Sequence, residues 1–128
     1  MQVFRIYLKP EVEYEGEPPF FFDVVLDPDG NAVAQQPVFG VCGDFSRTTA
    51  FWPVVLFPES GLIDFGHHGS PSERYAITDL LKTKIEPGRL VSIRSEQYGE
   101  QTFKVADITP LSDLRQDDPE GSGYVKEA

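Results

Sequence analysis

The chain is 128 residues long, 40% hydrophobic and 12% aromatic, with ten Phe and a formal net charge of −10. That length suits one ordinary domain, which buries roughly two-thirds of the surface its unfolded chain exposes. So much apolar bulk excludes a disordered chain, and so much acidity counts against duplex DNA or an anionic membrane, whose phosphates demand a basic patch.

The opening "VFRIYLK" alternates, with Phe4, Ile6 and Leu8 on one side and Arg5, Tyr7 and Lys9 on the other, as in a half-buried strand. "PEVEYEGEPP" breaks the pattern with four Glu and three Pro and reads as a loop. "FFFDVVL", residues 20–26, is aromatic and β-branched and predicts a strand. "DPDGN", residues 27–31, predicts a turn: Pro28 presets φ and Gly30 accepts a positive one. Its Asp27, Asp29 and Asn31 fail as a calcium loop of the EF-hand kind, because Gly30 comes fourth rather than sixth and Val38 stands where the bidentate Glu belongs. A return arm then runs from about Ala32 to Val41. "TTAFWPVVLF", residues 48–57, predicts a strand with Pro53 at an edge or bulge, and "PESG" turns the chain into a short strand, "LIDFG".

"SPSE", residues 70–73, has the form of a capping box, with Ser70 as N-cap, Pro71 at N1 and Glu73 at N3. Ile77, Leu80, Leu81 and Ile85 continue at helical spacing until Pro87-Gly88. Together they predict one helix over about 71–85. A rival parse makes "ERYAI" a short strand, Thr78 a second cap and "DLLK" a single turn. "RLVSIRSEQYGEQTFKVADI" predicts an antiparallel hairpin that turns at Gly99.

The expected architecture is α+β but β-dominated. Six or seven short strands form a curved antiparallel sheet or a partly open small barrel, with one helix covering an open edge or end. Residues 1–111 form the globular domain, and 112–128, acidic and Gly-rich, form a mobile tail. Phe20, Phe22, Val24, Phe51, Val55, Ile77, Leu81, Val91, Ile93, Phe103 and Val105 are the expected core.

The single cysteine, Cys42, permits no internal disulfide and no zinc-type cysteine spacing, which favours a cytoplasmic setting. "MQVFRIYLKP" lacks the regions of a signal peptide, and the longest apolar run, residues 50–57, is far short of the roughly 20 residues of a membrane helix. No membrane association is expected.

The sites are few. His67 and His68 are adjacent in a Gly-flanked loop. They could share a metal only with a third ligand such as Asp64, Asp44, Glu73 or Cys42, and no metal-ligand spacing accompanies them, so no metal or cofactor is expected. Standing before a helix start, His67, His68 and Ser70 suit an anion better. Cys42 and a histidine meet the parts list of a nucleophilic dyad and no more. No G-x-S-x-G, G-x-G-x-x-G or phosphate-loop motif occurs. Glu11, Glu13, Glu15 and Glu17 alternate with Val12, Tyr14 and Gly16, as a charged strand edge that blocks aggregation or as a row that meets a basic partner. Residues 1–64 carry three Lys/Arg against ten Asp/Glu, while 74–104 carry six against four.

The sparse catalytic inventory and aromatic surplus point to a small acidic cytoplasmic module that binds one protein partner without catalysis, as an adaptor, inhibitor or immunity-type protein does. Glu11, Glu13, Tyr14, Glu15 and Trp52 are its candidate contacts. The alternatives are a small enzyme or a metal- or anion-binding protein centred on His67 and His68, and a single-strand nucleic-acid-binding barrel using Arg89, Arg94 and Lys104.

Overall fold

A computed structural model of the chain describes residues 2–11, 18–33, 35–43, 51–66 and 73–112, with the backbone alone at positions 51 and 52. The fold is β-dominated. Eight antiparallel strands follow one another around a closed barrel, the last pairing with the first. They are β1 (Gln2–Pro10), β2 (Phe20–Leu26), β3 (Val38–Gly43), β4 (Phe51–Phe57), β5 (Leu62–Asp64), β6 (Tyr75–Thr78), β7 (Leu90–Ser95) and β8 (Gly99–Pro110).

Six or seven strands in a partly open barrel is therefore corrected to eight in a closed one. The additional strand is β6, and it lies within the span of the helix expected over 71–85. "YAIT" is aromatic and β-branched and finds partners on both sides. Ala76 lies opposite Ile63 of β5 and Ser95 of β7, so sheet pairing overrides a helical spacing that no packing supports. The chain then makes a single 3-10 turn, Leu80–Lys82, whose first N–H donates to the Thr78 hydroxyl at 3.2 Å. The strand-and-turn parse is the one that occurs. The apparent helical stripe is scattered: Leu80 and Ile85 are buried, Leu81 packs part-buried against the core, and Ile77 is exposed.

The interior follows the period of two. Along β2 the pattern is strict, with Phe20, Phe22, Val24 and Leu26 inward. Phe20 meets Phe103 edge-on at 5.4 Å and stacks with Phe22 at 5.8 Å. Ile6 and Leu8 from β1, Val91 and Ile93 from β7, and Phe103 and Val105 from β8 complete the wall. An eight-stranded barrel is just wide enough for such side chains to fill it. Two core expectations reverse. Val54 and Leu56, not Val55, point inward from β4, because a strand apolar on both faces carries no parity signal. Ala76 and Thr78, not Ile77, point inward from β6. The Phe51 side chain lies outside the described residues, as does the tail over 113–128.

Closure rests on β8, which pairs with β7 through Gly99–Lys104 and with β1 through Phe103–Pro110. Tyr7 lies opposite Asp107 and Leu8 opposite Val105, so Ala106 is the extra residue of a bulge. A bulge bends a strand and increases its twist, which is what wrapping one strand around two neighbours requires.

Two glycines set close approaches. Gly61 (φ +76°) donates to the Phe57 carbonyl and accepts from the Thr78 N–H, both at 2.8 Å, and a Cβ there would collide with the Thr78 carbonyl. At Gly40 a Cβ would strike the Phe21 carbonyl and the Phe22 ring. The DPDGN turn forms as expected: Asp27 Oδ1 accepts from the N–H groups of Asp29 and Asn31, both at 2.9 Å.

The connection between β6 and β7 closes one end of the barrel. Leu80 and Ile85 are buried there, and the Ile85 N–H donates to the Gly30 carbonyl at 2.8 Å. Arg89 fixes this segment by donating to the carbonyls of Asp79 (2.9 Å), Leu80 (2.8 Å), Thr83 (3.2 Å) and Lys84 (3.3 Å). The Asp79 carboxylate accepts from the Ser92 N–H at 2.9 Å. At the opposite end lie the strand termini that bound the segments 12–17, 44–50 and 67–72.

Candidate functional site

The sequence candidates fall mostly on those three segments. His67, His68, Ser70, Glu13, Tyr14, Glu15 and Asp44 lie outside the described residues, and so does the Trp52 side chain; the Trp52 backbone pairs with Cys42. Their flanks are described. Up-and-down connectivity joins the end of each odd strand to the start of the next at one end of the barrel, so Glu11, Gly43, Gly66 and Glu73 share that end. Glu11 is exposed and its N–H donates to the Thr102 carbonyl at 2.9 Å.

Asp64, a candidate metal ligand, is already engaged. Its carboxylate takes Arg74 Nε at 3.1 Å and Nη2 at 3.4 Å, and accepts from the Gly66 N–H at 2.8 Å. Hydrogen bonding to Asp64 raises the Arg74 pKa above its ordinary value. Arg74 also lies over the Tyr75 ring, 5.1 Å from its centroid. Among the described residues no group of three His, Cys, Asp or Glu is placed to hold a metal. Cys42 is buried in the core cluster. Of the candidate nucleic-acid contacts, Arg94 and Lys104 are exposed, whereas Arg89 is committed to the end segment.

The residues that sequence reasoning missed are on the outside of the barrel. Register places Phe57 of β4, Leu62 of β5 and Ile77 of β6 side by side in one outward row. The next row is Phe39 of β3, Val55 of β4, Asp64 of β5 and Tyr75 of β6. Phe39 is 68% exposed, Ile77 43%, Tyr75 39% and Phe57 37%. Cross-strand neighbours in a sheet lie within side-chain contact distance, so Phe39, Val55, Phe57, Leu62, Ile77 and Tyr75 make one apolar band across four strands, with the Asp64–Arg74 pair set between Val55 and Tyr75. The band continues into an open groove of about 350 Å³ with Leu62, Tyr75 and Ile77 as its apolar surface and Arg94, Ser95 and Glu96 along its rim.

The opposite outer wall is different. Arg5 on β1 grips Asp23 on β2 with two bonds, at 2.9 and 3.0 Å, and hydrogen bonding to Asp23 raises its pKa. Tyr7 stacks on Phe21 at 4.8 Å, which covers apolar area within the wall itself. Among the described residues no helix is long and apolar enough to cross a membrane.

One clue to the band was present in the sequence. "FWPVVLF" is apolar at every position, and in a one-layer barrel a strand apolar on both faces must show one of them to solvent. Comparison of the chain with models of protein families, with curated proteins and with solved structures found no match.

Proposed function

We propose that the chain is a small cytoplasmic protein-binding module without catalytic activity, of the adaptor, inhibitor or immunity type, and that it docks one protein partner on the outer face of β3–β6. The observation that carries this reading is the band of Phe39, Val55, Phe57, Leu62, Tyr75 and Ile77, continuous in register across four strands. Folded monomers rarely leave large contiguous apolar patches uncovered, and aromatic residues at the centre of a patch are favoured anchors. Duplex DNA and membrane are poor partners for a net charge of −10.

The test compares the wild-type chain with the double variant Phe57→Thr/Ile77→Thr in native lysate. Thr keeps the β-branched shape suited to a strand and removes most of the apolar area. The expected result is a stoichiometric protein that the wild type retains and the double variant loses, with both chains equally folded. Retention by both would overturn the assignment of this face, and recovery of no stoichiometric protein by the wild type would count against the protein-binding reading.

A further inference from the structure

Four arginines are described, and three are committed. Arg5 is paired with Asp23, Arg74 with Asp64, and Arg89 with four backbone carbonyls. The fourth, Arg94, is exposed, and its side chain has no hydrogen bond or ion pair among the described residues. This is unexpected for its position. In register Arg94 lies between Ile77 of β6 and Glu100 of β8, and opposite charges on facing strands ordinarily pair. Glu100 instead turns to Ser92, whose hydroxyl donates to Glu100 Oε2 at 3.1 Å. In a chain with 21 acidic and 11 basic residues, this guanidinium meets no carboxylate among the described residues and lines an apolar groove. Glu96 stands on the same rim without closing a salt bridge to it.

The geometry points to a partner segment that presents one carboxylate beside an apolar side chain. The inference rests on the docking face proposed above. The apolar side chain lies on Leu62, Tyr75 and Ile77, and the carboxylate takes Arg94 through the two parallel N–H donors that suit that anion. Glu96 repels a second negative charge close by, so the site selects a single acid within an apolar sequence over a run of acids or a polyphosphate.

The test is a titration of the isotopically labelled full chain, followed by amide NMR shifts, with three capped dipeptides at millimolar concentration: acetyl-Phe-Glu-amide, acetyl-Phe-Gln-amide and acetyl-Ala-Glu-amide. Acetyl-Phe-Glu-amide is expected to perturb amides of Leu62, Ile77, Arg94 and Ser95 and to bind about threefold more tightly than either control, the scale of one exposed charge pair. In Arg94→Gln the Glu and Gln probes become equivalent, and Arg94→Lys restores part of the preference. Equal binding of the Glu and Gln probes to the wild type, shifts confined to other strands, or no shifts at all would overturn the inference. If the Glu preference is absent while Phe57→Thr/Ile77→Thr still loses the partner, the docking face stands and only its acid selectivity falls.

Discussion

At the scale of single residues, the barrel depends on a few positions where backbone groups come unusually close. Gly61 has a positive φ and lies against the Thr78 carbonyl. Gly61→Ala therefore combines a left-handed backbone penalty with a steric clash, and the expected loss is about 2–4 kcal/mol of stability in urea denaturation. A loss under about 0.5 kcal/mol would show that the approach of β6 to this turn is not tight. Arg89 is a second such residue. Its guanidinium satisfies carbonyls of a segment with little regular pairing of its own. Arg89→Ala is expected to cost about 2–3 kcal/mol, since charge-assisted bonds are lost and part-buried carbonyls are left open. Arg89→Lys is expected to recover less than half of that, because an ammonium cannot reproduce the planar fork. The residue scale is also where the sequence was least legible. Nothing in the order of residues distinguishes Arg89, which holds the fold, from Arg94, which faces solvent. Their difference arises from which carbonyls and carboxylates the fold brings near.

At the scale of elements, β1, β2, β7 and β8 were readable because each alternates cleanly or is bounded by a strong turn. β4 was readable as a strand but not in its parity, since apolar residues occupy both faces. At β6 the helical reading outweighs the strand-and-turn parse because Ile77, Leu80, Leu81 and Ile85 mimic a helical stripe and a cap-like "SPSE" precedes them. Local pattern cannot register that two flanking strands compete for the same four residues. The same shortness has a dynamic consequence. β5 has three residues and β6 four, against nine in β1 and twelve in β8. Short ladders open at low cost, so the β5–β6 wall is the weakest part of the barrel. Hydrogen exchange should show amides of Leu62–Asp64 and Tyr75–Thr78 exchanging by local opening well before those of Ile6, Leu8, Phe103 and Val105. Uniform protection around the barrel would contradict this ranking.

At the scale of the whole molecule, closure leaves β5 and β6 as the shortest strands and leaves an outside with two characters. One wall covers itself through Arg5–Asp23 and Tyr7–Phe21. The other presents Phe39, Phe57, Tyr75 and Ile77 to solvent. Because those side chains point outward, their truncation opens no cavity in the core. Phe57→Thr/Ile77→Thr is expected to shift stability by less than about 1 kcal/mol in thermal unfolding while removing much of the band. Of the candidates read from the sequence, Glu11 follows β1, while Glu13, Tyr14, Glu15, His67, His68 and Ser70 lie outside the described residues, in the connections after β1 and β5, so those connections and the wall are alternative docking surfaces. Hydrogen exchange of the chain bound to its recovered partner separates them most directly. Docking on the wall predicts new protection concentrated in 54–57, 62–64 and 75–78, with the segments 12–17 and 67–72 unchanged. Protection confined to those two segments would contradict it.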